Sequence, residues 1–155
     1  MPDILARTGV LILASLLLWL VTWSGRRFIE IQRKRALAAP PLLERAHTGN
    51  ESAGSGTSAV RILAFSSADC KQCHQLQAPA LQRVQQIHGG NVAVVDVDAP
   101  TSPELLQRYH VLTLPTTVVL NATGRAHAVN YGFANTQRLL EQVDAVLSEV
   151  QQSAS

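Results

Sequence analysis

Cysteine, methionine and charge are all scarce in this 155-residue chain: two cysteines, one methionine and 15% Asp, Glu, Lys and Arg. Without a second C-x-x-C, a four-cysteine zinc site is excluded. With Met1 as the lone methionine, a c-type haem would lack its usual methionine ligand. His88 and His110 are the remaining options for a sixth ligand, and neither has a context that recommends it. No segment repeats. The formal net charge is only +2 and comes from one basic stripe, so it does not indicate a nucleic-acid partner.

Charge is scarcest near the start. The twenty residues from Ile4 to Trp23 hold a single charged side chain, Arg7. As a helix they would extend roughly 30 Å, the thickness of a bilayer's hydrocarbon core. Trp19 and Trp23 lie toward the far end, where interfacial aromatics are expected. Residues 4–24 are therefore expected to form a single-pass membrane anchor. A cleaved signal peptide is the alternative, but no small-x-small site adjoins the apolar run, and Ala36-Leu37-Ala38 lies beyond five basic residues. Arg26, Arg27, Arg33, Lys34 and Arg35 follow the run, which places the C-terminal part on the cytoplasmic face by the positive-inside rule. The periplasmic or extracellular face is the alternative. Residues 25–41 read as a basic juxtamembrane helix stopped at Pro40-Pro41. Residues 42–58, rich in Gly and Ser, read as a flexible linker.

From residue 59 to 151 the pattern becomes that of an α/β domain. Val60–Phe65 is a short apolar strand. Leu76, Ala80, Leu81, Val84 and Ile87 recur at helical spacing up to the stop at His88-Gly89-Gly90. Residues 91–98 form a β-branched strand. Ser102-Pro103-Glu104 predicts a helix start with a capping hydroxyl, and Leu105, Leu106 and Tyr109 form its apolar side. Thr116–Leu120 and Ala126–Tyr131 flank a turn at residues 121–125 and predict an antiparallel hairpin. Leu139, Leu140, Val143, Val146, Leu147 and Val150 give the last helix its stripe. The predicted order is β-α-β-α-β-β-α.

The two cysteines sit between the first strand and the first helix of this domain, as Cys70-Lys71-Gln72-Cys73. Two thiols one turn apart can close a small disulfide ring, and a helix N-terminus beside the first sulfur favours its thiolate. His74 extends the tetrad to C-x-x-C-H, the string to which c-type haem is attached, so the motif alone leaves redox and haem chemistry open. Zinc would need Cys70, Cys73, His74 and a distant histidine, an awkward tetrahedral set.

The whole arrangement resembles the thioredoxin-like superfamily from Val60 to about Val150, as a membrane-anchored thioredoxin domain. The motifs are Cys70–Cys73 after the first strand, Leu114-Pro115-Thr116 before the hairpin, Val97-Asp98 closing the middle strand, and Gly132 before the last helix. The resemblance implies a mixed central sheet and a cis bond before Pro115. It also implies that Leu114 and Pro115 dock the substrate, Cys70 is the nucleophile and Cys73 the resolving thiol. Asp69, Lys71 and His74 are placed to modulate the pKa of Cys70. The sequence departs from the family pattern where thioredoxins carry a buried acid, here Ala64, and its companion lysine, here Val94. Pro79 lies one residue further from the cysteines than the usual helix proline. The activity implied is protein-disulfide reduction or exchange by a monomer without cofactor or metal. Its partners would be a protein disulfide, an electron donor and the lipid bilayer. A non-catalytic redox sensor or docking module is the alternative.

Overall fold

A computed structural model describes residues 2–39 and 58–153, with side chains from residue 11 onward in the first segment. Pro40, Pro41 and the expected linker up to residue 57 lie outside the described residues. The chain forms two compact units, Met1–Lys34 and Arg35–Ser155.

Helix α1 (Pro2–Leu37) accounts for the first unit. Over Leu11–Leu37 it is long and apolar enough to cross a membrane, with a mean hydropathy of 1.3. A signal sequence shares that property. The leucines between Leu11 and Leu20, Val21 and both tryptophans are exposed, as an apolar solvent requires of a span. The hydroxyls of Ser15 and Thr22 donate back to the carbonyls of Leu11 and Trp19 at 2.8 and 2.9 Å, so neither is left unpaired. Trp19 and Trp23 stack with centroids 6.2 Å apart, and the Arg27 guanidinium lies 5.4 Å from the Trp23 ring.

The second unit is built on a four-stranded sheet. Strand β1 (Val60–Ser66) lies parallel to β2 (Val92–Asp98) and antiparallel to β3 (Thr116–Asn121). Strand β4 (Ala126–Tyr131) completes the order β2-β1-β3-β4. Element order and mixed sheet are those read from the sequence. β1 is central and covered on both faces, which explains its nearly continuous apolar run. Ile62 and Ala64 face one side, Leu63 and Phe65 the other. A bulge between Val119 and Leu120 shifts the β3–β4 register, so Ala128 and Ala126 serve opposite faces despite being two residues apart.

Helices α2 (Ala78–His88) and α4 (Thr136–Ser153) cover the first face with Ala80, Leu81, Val84, Leu139, Val143 and Val146. Burying a side chain such as Leu139 contributes about 1.5–3 kcal/mol. Helix α3 (Pro103–Arg108) serves the second face, where Tyr109 meets Phe65 edge-on at 6.2 Å.

Two local expectations are corrected. Leu76 and Ile87 are 47% and 61% exposed rather than part of the α2 stripe. For Leu76 the cause is a π-helical turn at Cys73–Gln77 that precedes α2 and turns Gln77 inward in its place. Ile87 lies in the last turn of α2, one turn beyond Val84, the last buried residue of the helix. At α3, the Ser102 hydroxyl makes no capping bond. Its ψ of 54° departs from the extended geometry a cap needs, and the nearby hydroxyl bonding is by Thr101 to Asp98.

Candidate functional site

The C-terminal end of β1 delivers the chain into a tight turn. The Cys70 N–H donates to the Ser67 carbonyl at 3.1 Å, and His74 lies with Nε2 3.2 Å from that same oxygen. Cys70 and Cys73 are joined in a disulfide, S–S 2.04 Å and Cα–Cα 5.3 Å, at the start of the helix. The Cys73 N–H points at Cys70 Sγ from 3.2 Å and also reaches the Cys70 carbonyl at 3.1 Å. A backbone donor aimed at Cys70 Sγ, at the positive end of a helix, favours negative charge on that sulfur.

The two sulfurs differ in access. Cys70 is partly exposed, whereas Cys73 is only 4% exposed and packs inward. An incoming disulfide can therefore reach Cys70 far more readily than Cys73. Asp69, Lys71 and His74 all stand in solvent around the turn, where water and salt screen their charges.

Pro115 belongs to the same end of the sheet. The register that sets Phe65 opposite Thr116, and Thr116 opposite Tyr131, brings three segments together there. They are the Cys70 turn, the loop ending in Pro115 and the loop beginning at Gly132. The Leu114–Pro115 peptide is cis, with Leu114 half-buried and Pro115 buried. The Pro115 carbonyl accepts from the Gly132 N–H at 2.8 Å, and Gly132 takes a φ of 83° that a side chain would resist.

The π-turn also accounts for Pro79. The Ala78 N–H bonds to the Cys73 carbonyl, five residues back, so the turn holds one residue more than an α-turn. A proline displaced by one position thus still enters the first turn of α2.

Ala64 and Val94 lie on the α2/α4 face, Ala64 within the core and Val94 packed against it. Ala64 is paired with Thr117, and Thr117 with Asn130. The polarity near this position comes from neutral groups. Asn130 Nδ2 donates to Thr117 Oγ1 at 3.2 Å and to Gln142 Oε1 at 2.8 Å, while Gln142 Nε2 returns a bond to Asn130 Oδ1 at 2.9 Å. Sequence reasoning missed this cluster and also missed Gln77. A polar residue within an apolar helical stripe was the one available signal, and it pointed to Gln77 only. Among the described residues no three His, Cys, Asp or Glu side chains are placed to hold a metal ion.

A family model described as TraF, F plasmid transfer operon protein, matches residues 56–143, more than half of the chain. Among solved structures, chloroplastic thioredoxin z is 26% identical with a TM-score of 0.52, over 59% of this chain and 80% of its own. Thioredoxin-2 of the malaria parasite is 22% identical with a TM-score of 0.52, over 56% and 82%. A structure described only as a malarial protein gives 22% and 0.52, over 57% and 98%. No curated protein matches. The fold is thioredoxin-like, and with its C-x-x-C it supports a general thiol–disulfide redox role.

Proposed function

Because the chain belongs to the family of TraF, the F plasmid transfer operon protein, we propose that it is a membrane-tethered oxidoreductase that reduces or exchanges a disulfide of a protein partner. The observation that carries this reading is the asymmetry of the pair, an accessible Cys70 bonded to a sheltered Cys73. In the dithiol form, the Cys70 thiolate attacks one sulfur of the substrate disulfide. That S–S bond breaks, and the departing substrate thiolate takes a proton from solvent. The Cys73 thiolate then attacks Cys70 Sγ, breaking the mixed disulfide and releasing the second substrate thiol. Two electrons have passed to the substrate, and the protein is left with Cys70 and Cys73 joined. A dithiol donor restores it by the reverse exchange. Leu114 and Pro115 form the docking loop in this reading, and Asp69, Lys71 and His74 adjust the charge around Cys70.

Helix α1 serves as the anchor. The basic residues Arg26 to Arg35 favour a cytoplasmic domain, where a reducing environment would hold the pair as a dithiol reductant. Since the family's name ties TraF to a plasmid transfer operon, a disulfide in a plasmid-transfer protein is the favoured substrate class. The Cys73→Ser variant tests the chemistry: it should accumulate a covalent partner adduct that dithiothreitol dissolves. No adduct, together with no disulfide reduction by the wild type, would sink the proposal. Labelling Cys70 with an impermeant maleimide tests sidedness, with protection in intact cells and reaction after lysis as the expected result.

The core position of Ala64, where a carboxyl would serve as proton acceptor for Cys73, favours a second reading as a redox sensor. A wild type that reduces no disulfide, yet binds its partner differently when oxidised and when reduced, would select it.

A further inference from the structure

Gln77 sits four residues beyond Cys73 on the inner side of the π-turn and is 3% exposed. A buried primary amide is costly unless both of its ends are satisfied, and here both are. Nε2 donates to the Ala134 carbonyl at 3.2 Å, and Oε1 accepts from the Ala134 N–H at 2.9 Å. Ala134 is itself buried, so the glutamine supplies the partners its backbone would otherwise lack. Two residues earlier in the same loop, the Gly132 N–H donates to the Pro115 carbonyl. Gln77–Ala134 and Gly132–Pro115 thus join, in series, the helix that starts at the dithiol, the loop entering α4 and the cis-proline loop. None of these bonds belongs to a helix or sheet ladder.

We propose that Gln77 is a positioning residue for disulfide exchange with protein substrates. It holds the Gly132 loop, and through it the Leu114–Pro115 loop, in register with Cys70. The inference rests on the oxidoreductase reading above and extends it to a residue distant in sequence from the docking loop. An amide neither accepts nor releases a proton near neutral pH, so Gln77 adds nothing to thiol chemistry itself. Its contribution falls on presentation of a macromolecular disulfide. A small disulfide, which needs no docking loop, should be indifferent to it.

The test uses the full chain in detergent, reduced with dithiothreitol, and two probes: glutathione disulfide and insulin. Gln77→Leu fills the space and removes both bonds. Its rate with glutathione disulfide should stay within about twofold of wild type, while its rate with insulin falls on the order of tenfold, through KM rather than kcat. Gln77→Glu keeps an acceptor for the Ala134 N–H but faces the Ala134 carbonyl with a carboxylate. Its insulin-to-glutathione rate ratio should be low at neutral pH and rise as acid protonates the carboxyl and restores the donor. The wild-type ratio should stay flat, because titration of the Cys70 thiolate cancels in it. If Gln77→Leu does not fold, this pH profile decides.

Equal losses with both probes, or an unchanged ratio in both variants, would overturn the assignment and leave Gln77 as a loop closure only. A wild type that exchanges with glutathione disulfide alone also overturns it, since no protein disulfide is then presented. A wild type that exchanges with neither probe defeats the oxidoreductase reading first, and the role of Gln77 falls with it.

Discussion

On the α2/α4 side of the sheet the core is aliphatic and gives way, near the dithiol end, to amides and a hydroxyl that bond to one another. On the α3 side it is the edge-on pair of Phe65 and Tyr109 among valines and leucines. The two sides solve different problems. Contacts between apolar side chains are non-directional and tolerate small slips. The bonds of Gln77, Asn130 and Gln142 are directional: Gln77 ties the start of α2 to Ala134 in the loop entering α4, and Asn130 ties β4 to Thr117 of β3 and Gln142 of α4. The site is therefore framed by directional contacts on one side and supported by bulk on the other.

That contrast can be broken first where the bulk is greatest. Phe65→Ala should destabilise the domain by about 3–5 kcal/mol, read from the midpoint of urea unfolding. A cost under 1 kcal/mol would mean that the α3 side is not a true core.

On the directional side, Asn130→Leu strands Gln142 and Thr117 and should cost about 1–3 kcal/mol. The Asn130→Leu/Gln142→Leu pair should cost less than the two single changes added together, because the second partner is no longer left orphaned. Additive costs would show that the reciprocal amide bonds do not act as a unit.

His110 offers an effect of opposite sign. It ends α3 with a φ of 50°, where the Val111 N–H closes on the Leu106 carbonyl at 2.8 Å. A left-handed residue with a side chain is strained, so His110→Gly should stabilise by about 1 kcal/mol. An unchanged melting temperature would show that the imidazole contributes as much as the strain removes.

The smallest effect is one of pH. Burial pushes the Tyr109 hydroxyl above its ordinary value of 10.0, with the neighbouring Arg108 partly opposing the shift. The folded value lies above the unfolded one, so this contribution is fully present below pH 10.0 and is lost as pH rises through the folded value. Tyr109→Phe should flatten the alkaline limb of the stability profile, read from urea midpoints at pH values on either side of 10.0.

Much of this was legible in the amino-acid order. The short apolar run of β1, the turn at residues 121–125 between the two hairpin strands, and the stripe of α4 from Leu139 to Val146 point to elements that the fold contains. The C-x-x-C follows the end of β1 and the Leu114–Pro115 pair directly precedes β3, so the antiparallel pairing of these strands brings both to one end of the sheet. Other features were not legible because their causes are not local. The inward turn of Gln77 in place of Leu76 depends on a π-turn that no propensity announces. Asn130 and Gln142 are 12 residues apart and read as ordinary surface amides until the sheet and helix meet. The left-handed His110 and the idle Ser102 hydroxyl depend on how the chain enters and leaves a six-residue helix.

Gln77 and the alanine it grips are separated by 57 residues. A ribosome adding about 5–20 residues per second needs roughly 3–11 s to cover that interval. Throughout that time the nascent chain already carries both cysteines but lacks the loop entering α4. A chain arrested just short of Ala134 would therefore bear thiols open to any oxidant or stray disulfide. The bonds that tie the dithiol helix to the loop entering α4 arrive late in synthesis, well after the thiols themselves.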